Sequence, residues 1–331
     1  MRTRRAIFVL AAALAGAILP GRAGAQLQCG DRVAPGQQVV LGEDLACDGD
    51  GAAVVVTGPA VVDLNGFTIS CADQDGDGTV PRVGLLLLGW SVTVRNGTIN
   101  ECHNGVVAAG AGFHQIAEIA VLFGAGDGIV LASAEGRVRK ALAFFQRGAG
   151  IVLRGAASTV SDSTATGNRV GFRVDARATL LRSVATANER DGFLVAGAGS
   201  VLSDNRALGS AVGFTIVGGG NRLSRNESRG NLIGIFLDAR ARANDLLSNV
   251  ASGNTVAGIV ANGERNRLLS NRAENNAVHG IRAGTRAGAL AIRDTLALGN
   301  GVNDLADETP GCGDNAWSNN RFQTRNQSCV E

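Results

Sequence analysis

The chain of 331 residues contains no tyrosine, one methionine, two tryptophans and three histidines, and aromatic residues make up 4% of it. Each shortage excludes something. Without tyrosine, a frequent acid and sugar-stacking residue of polysaccharide lyases is missing. Without methionine or histidine clusters, copper delivery has no soft or imidazole ligand set to draw on. His103, His114 and His279 fall at no metal-binding spacing and read as surface or turn residues. No Cys-x-x-Cys occurs among the six cysteines. No helical stripe runs through the Gly-, Asn-, Ser- and Thr-rich stretches, and no hexapeptide period is present. Aromatic platforms for bases are scarce, so a nucleic-acid partner is not expected.

What is present is a repeat. Gly150-Ile-Val-Leu, Gly171-Phe-Arg-Val, Gly192-Phe-Leu-Val, Gly213-Phe-Thr-Ile and Gly234-Ile-Phe-Leu follow one another at steps of 21 residues. The register extends upstream to Gly128, Gly105 and Gly84 and downstream to Gly258 and Gly280, at steps of 21 to 24 residues. A fixed period of this size signals a solenoid, in which each unit buries its apolar side against its neighbours. Apolar residues at the first and third places after each Gly have strand periodicity, not that of leucine-rich repeats. Three short strands and three turns fill one coil, and parallel β-connections are right-handed almost without exception. The expectation is an all-β, right-handed parallel β-helix of about ten to twelve coils, a rod on the order of 50 Å long at a rung spacing of ~4.8 Å. Gly is expected to supply positive φ at the corner opening each coil. Asn205, Asn226, Asn249 and Asn271 form one column, and Asn168, Asn188, Asn231, Asn254, Asn276 and Asn300 another. Stacked amides bond along such a column and need no ligand.

Met1 to Arg5 carries three Arg, residues 6–20 are apolar, and Ala23-Gly24-Ala25 is a small-x-small site. Residues 1–25 therefore read as a secretory signal peptide. No other segment is long and apolar enough to span a bilayer. The formal charge is +2, and removing four Arg leaves about −2, with cations dispersed among acids and no basic field for nucleic acid. Residues 26–58 depart from the repeat and are assigned to an N-terminal cap, 59–307 to the β-helix and 308–331 to a C-terminal cap, where Trp317 and Phe322 plug the last coil. Six cysteines in an exported chain imply disulfides. Cys71 and Cys102 each lie six residues after an Asn-Gly pair, hence on adjacent coils within bridging distance. Cys29–Cys47 and Cys312–Cys329 would then close the two ends.

Cys29-Gly30-Asp31, Leu45-Ala46-Cys47, Val62-Asp63-Leu64-Asn65-Gly66-Phe67-Thr68-Ile69, the Gly-Ile and Gly-Phe coils, and the close from Asn303 through Cys312 and Phe322 to Cys329 together resemble the exported bacterial right-handed β-helix repeat proteins of the pectate-lyase-like superfamily. The resemblance covers the whole mature chain. It implies the fold and leaves activity open, because that superfamily spans pectate lyases, polygalacturonases, alginate epimerases, phage tailspikes and accessory proteins of nitrous-oxide reductase.

Function must be argued from side chains. The outward row of the first strand reads Val152, Arg173, Leu194, Thr215, Phe236, Val260 and Arg282, with no acid. The row before each Gly offers Asp127 and Asp191, ~14 Å apart by rung spacing, too far for either carboxylate geometry of glycoside hydrolysis. The Asp-Pro-His-Asp signature of alginate epimerases is absent. Asp73, Asp75 and Asp77 match the opening of a calcium loop, though its twelfth place holds Gly84 and not Glu; the bland alternative is a solvated acidic loop. The preferred reading is an exported, non-catalytic scaffold that requires no cofactor. It would present Arg173, Leu194, Phe236, Val260 and Arg282 to a polysaccharide or another cell-envelope component. The alternatives are a calcium-dependent uronate lyase or epimerase and, more weakly, a periplasmic metal-delivery protein.

Overall fold

The computed structural model describes residues 26–72, 80 and 82–331. Three parallel ladders wind along one axis. The first has thirteen strands, from Arg32–Val33, Ala52–Thr57 and Val83–Leu88 to His279–Ala283 and Asn303–Asp307. The second runs from Gln38–Val40 to Ala316–Ser318, and the third from Leu45–Cys47 to Leu296–Leu298. Consecutive strands of a ladder pair in parallel, one coil apart. Twelve steps between thirteen coils give a rod of about 58 Å. The count exceeds ten to twelve because residues 26–58 do not stand outside the array. Arg32–Val33 pairs with Val55–Val56, and Leu45–Cys47 pairs with Ile69–Cys71. This segment is itself coil, held by the Cys29–Cys47 disulfide where the Gly-Ile signature is lacking. Residues 308–331 place Trp317 opposite Ile292 and bridge Arg325 to Leu305. Trp317 is 5% exposed and packs into the core. The Cys71–Cys102 and Cys312–Cys329 disulfides are also formed.

The core is a stack of like residues. Phe172, Phe193 and Phe214 lie ring on ring at 4.7 Å, the repeat of the ladder itself. Opposite them runs a row of small residues, Ala165, Ala185, Ala207, Ala251 and Ala273, all fully buried. The coil-opening glycines belong to this tight side. None of them has a positive φ, so the expectation that they open a corner is corrected. Their reason is space. A Cβ at Gly213 would lie 2.5 Å from the Gly234 carbonyl oxygen and 2.0 Å from Ser228 Oγ.

The left-handed backbone sits elsewhere, mostly on residues that carry side chains. Asp162, Arg182, Asp204, Arg225, Ser248 and Ser270 adopt φ between 47° and 59°. Each is followed by a buried Ser or Asn whose side chain accepts a backbone N–H from the preceding coil. A left-handed non-glycine residue costs on the order of 1–3 kcal/mol unless its surroundings over-determine it, and the buried side chain does so. Both expected Asn columns exist. A third, Asn221, Asn244 and Asn266, marks the remaining corner. At Asn249, in the middle of the first column, every polar side-chain atom is used. Asn249 Oδ1 accepts the Asn226 N–H and Nδ2–H at 3.0 Å, while its Nδ2 donates to Leu223 O and to Asn271 Oδ1, also at 3.0 Å.

Candidate functional site

The outward row was placed correctly by sequence. Val130, Val152, Arg173, Leu194, Thr215, Phe236, Val260, Arg282 and Ala306 occupy successive rungs of the first ladder. The residue before each Gly faces outward too, because the Gly is left out of the pairing register and shifts the alternation by one. Two adjacent outward rows result. Val130, Ala149, Val152 and Val170 pack together there as a small apolar cluster outside the main core, with Val107 and Leu194 against it.

Exposure along the row is uneven. Arg173 is exposed, and Leu194, Thr215, Phe236 and Arg282 are half-buried. Val260 is 1% exposed. It was expected among the ligand-facing residues and is excluded from them, because a small side chain between the larger Phe236 and Arg282 is closed over.

The charges on this face are paired with one another. Arg173 Nε lies 2.9 Å from Asp175, and Arg154 lies 3.6 Å from Asp127 and 3.9 Å from Asp175. Asp127 also accepts the Ala149 N–H at 2.8 Å. Asp191 is buried beside Thr215, whose hydroxyl donates to it. Burial pushes the Asp191 carboxyl up, against the opposing pulls of Thr215 and Arg190. Near the C-terminal end, Arg282 pairs with Glu308 at 3.1 Å. His279 stands on the same strand, and burial together with the Arg282 charge holds its imidazole below the usual value while Glu308 pulls the other way. His279 Nδ1 and Arg282 Nε are buried without a hydrogen-bond partner among the described residues. Arg173 and Arg282 lie five rungs apart and share no ring-sized site.

Sequence reasoning passed over four exposed aromatics. Trp90 and Phe113 stand at the corner between the first and second ladders, 55% and 51% exposed. Phe123 and Phe145 lie at the corner between the third and first, stacked at 6.2 Å with Phe144 set edge-on to both. The signal was present in the Phe144-Phe145 pair and in Trp90, one of only two tryptophans. The candidate calcium ligands Asp73, Asp75 and Asp77 lie outside the described residues. Among the described residues no group of three His, Cys, Asp or Glu converges to hold a metal ion, and no helix is long and apolar enough to cross a membrane.

The family model for the right-handed β-helix region matches residues 149–328, more than half of the chain. Among solved structures, a double mutant of the periplasmic alginate epimerase AlgG superposes with a TM-score of 0.61 at 14% identity, covering 83% of this chain and 78% of that one. The Dettilon tailspike protein superposes with a TM-score of 0.57 at 14% identity, covering 81% and 62%. At such identity the likeness is one of fold. No curated protein matches the sequence.

Proposed function

This chain belongs to the right-handed β-helix family, and from that premise we propose that it is an exported scaffold that lays an extended polysaccharide along the outer face of its first ladder without turning it over. The observation that carries this reading is the unbroken register of the outward row. It offers Arg173, Leu194, Thr215 and Phe236 on successive rungs and Arg282 two rungs further, past the closed-over Val260, with Arg173 and Arg282 fixed by Asp175 and Glu308. A repeating side-chain row suits a repeating polymer. Asp127 and Asp191 lie three rungs apart, and Arg154 is engaged with Asp127, which disfavours a two-carboxylate hydrolase. Three disulfides fit an oxidising compartment outside the cytosol. The alginate epimerase that the chain resembles in fold is periplasmic and acts on such a polymer. Retention on immobilised polysaccharides tests the reading. Phe236→Ala and Arg173→Ala should each weaken retention, and unchanged retention in both would remove this face.

One observation favours a second reading, a uronate lyase or C5-epimerase. A neutral imidazole at His279 is competent as a base, and the Arg282 guanidinium on the same surface can neutralise a uronate carboxylate. Incubation with pectate, alginate and hyaluronan, with calcium and then a chelator, separates the two readings. Ultraviolet absorbance from unsaturated uronates and the epimer ratio by NMR are followed. Turnover lost in His279→Ala establishes the enzyme, and calcium dependence makes Asp73, Asp75 and Asp77 the next residues to change. No change in any polymer leaves the scaffold.

A further inference from the structure

A second surface, on a different face of the rod, carries a groove walled by exposed aromatic rings. Trp90 and Phe113 stand on neighbouring coils at the corner that leads into the second ladder. Trp90 bridges in parallel to Gly112, and the Phe113 N–H donates to the Ala134 carbonyl. These bonds fix the backbone and leave both rings outside. With Gln115, Glu135 and Arg137 they line a groove of about 320 Å³. That volume lies at the lower end of the range for small-ligand pockets, in which aromatic walls are combined with a few polar groups. The groove leads onto a second depression of about 260 Å³, which shares Gln115 and Arg137 and continues over Arg139, Thr159 and Ser161.

Many arginines of the rod are taken up by carboxylates, as in Arg182–Asp162 and Arg225–Asp204. Glu135 and Arg137 have no ion pair among the described residues, although both face the groove, and Arg139 reaches Glu118 only at 4.0 Å. Two exposed rings offer faces to the C–H surface of a pyranose, with the amphipathic geometry that aromatic side chains use at interfaces. An unpaired guanidinium offers a planar fork for a carboxylate. Gln115, Thr159 and Ser161 offer donors and acceptors for hydroxyls. Two arginines against one glutamate give the trough an excess of positive charge.

We infer that the Trp90–Phe113 groove binds an acidic oligosaccharide, with a sugar ring on the aromatic pair and a uronate carboxylate on Arg137. The site is separate from the first-ladder face and does not depend on it.

The test uses a property of the chain. Trp90 is one of two tryptophans, and the other, Trp317, is buried at the far end. Intrinsic fluorescence and acrylamide quenching therefore report on the groove. The disulfide-bonded protein is titrated with tetramers of galacturonate and of mannuronate, and with maltotetraose as the uncharged control. The expected result is a saturable emission change and protection from quenching with a uronate tetramer, at least tenfold weaker with maltotetraose. Calorimetry should show affinity falling at least tenfold in Arg137→Gln and in Phe113→Ala, with circular dichroism unchanged. Val302→Ala, exposed near the far end of the rod and outside both the groove and the outward row, should bind these tetramers as the parent does. Absence of a saturable change with both uronates overturns the inference. So does uronate binding that survives both groove variants, or binding abolished by Phe236→Ala and retained in Trp90→Ala, which would leave the first-ladder face alone. Equal affinity for maltotetraose overturns the assignment of an acidic ligand.

Discussion

Asn249→Ala removes one amide from the middle of a column and tests what holds the corners. Asn249 is fully buried, and its side chain takes part in four hydrogen bonds. The Asn226 N–H loses its acceptor, and an orphaned buried donor costs about 1–3 kcal/mol. The other three bonds each contribute a net of about 0.5–1.5 kcal/mol, although Asn226 Nδ2 keeps the Leu202 carbonyl and Asn271 Oδ1 keeps the Asn249 N–H. Allowing for those surviving bonds, the expected loss is about 3–5 kcal/mol, a large share of a domain stability of about 5–15 kcal/mol. The assay is equilibrium urea unfolding followed by circular dichroism, with disulfides intact. Ser248→Ala, on the exposed residue at left-handed φ just before it, is the control and should stay within about 0.5 kcal/mol. Asn249→Ser should fall between, because Ser163 and Ser183 hold the same place in earlier coils. A loss below about 1 kcal/mol in Asn249→Ala, or an equal loss in Ser248→Ala, would show that the amides follow the fold and do not hold it.

Gly213→Ala should destabilise by about 3 kcal/mol, because its Cβ has no room between Ser228 and the Gly234 carbonyl, while Gly230→Ala, with open space around it, should cost less in the same urea assay. Asp191→Asn should stabilise at neutral pH: the folded carboxyl is raised, so the parent gains stability as pH falls from that raised value to the ordinary one, and the difference between the two proteins should close over that interval. His114 accepts the Val92 N–H at Nδ1 and meets the Ala109 carbonyl at Nε2, and burial holds it below its ordinary value. The unfolded imidazole takes up its proton first, so this contribution is present above the ordinary histidine value and is lost as pH falls from it towards the folded value; thermal melts across that interval should flatten in His114→Gln. Replacing Cys71 and Cys102 together by Ser opens a 31-residue loop and should cost about 4 kcal/mol of unfolding free energy.

The coil spacing, two of the three amide columns and the disulfides were legible because identical residues recur at one period. The third column was not, since Ser158 and Ser200 stand in it where Asn would have marked the period. The first coil was missed because a disulfide replaces its Gly-Ile signature. At the site, the outward row followed from strand alternation, but alternation gives direction and not depth, so Val260 was taken as accessible. The meeting of His279 with Arg282 was hidden for a related reason. Residues three apart on a strand point to opposite faces, unless, as at Gly280, one residue drops out of the register. Trp90 and Phe113 lie where the strands break, and no periodicity speaks for a corner.

The amide columns point one way. From Asn231 through Asn254 and Asn276 to Asn300, each amide passes one Nδ2–H to the oxygen of the next amide towards the C-terminal end, turns its own oxygen back towards the N-terminal end, and gives its other Nδ2–H to a carbonyl of the preceding coil. The side-chain dipoles therefore add along the rod as peptide dipoles add along a helix, and the positive pole falls at the last coil. There Asp304, almost wholly buried, receives the Asn300 N–H and Nδ2–H on one oxygen and the Gln323 and Thr324 N–H groups on the other. Its carboxyl stays below the usual range through those four donors, which outweigh the burial that opposes them. The array thus has a head and a tail. Coils can be added or removed within it without disturbing that polarity, but an anion belongs at one end only.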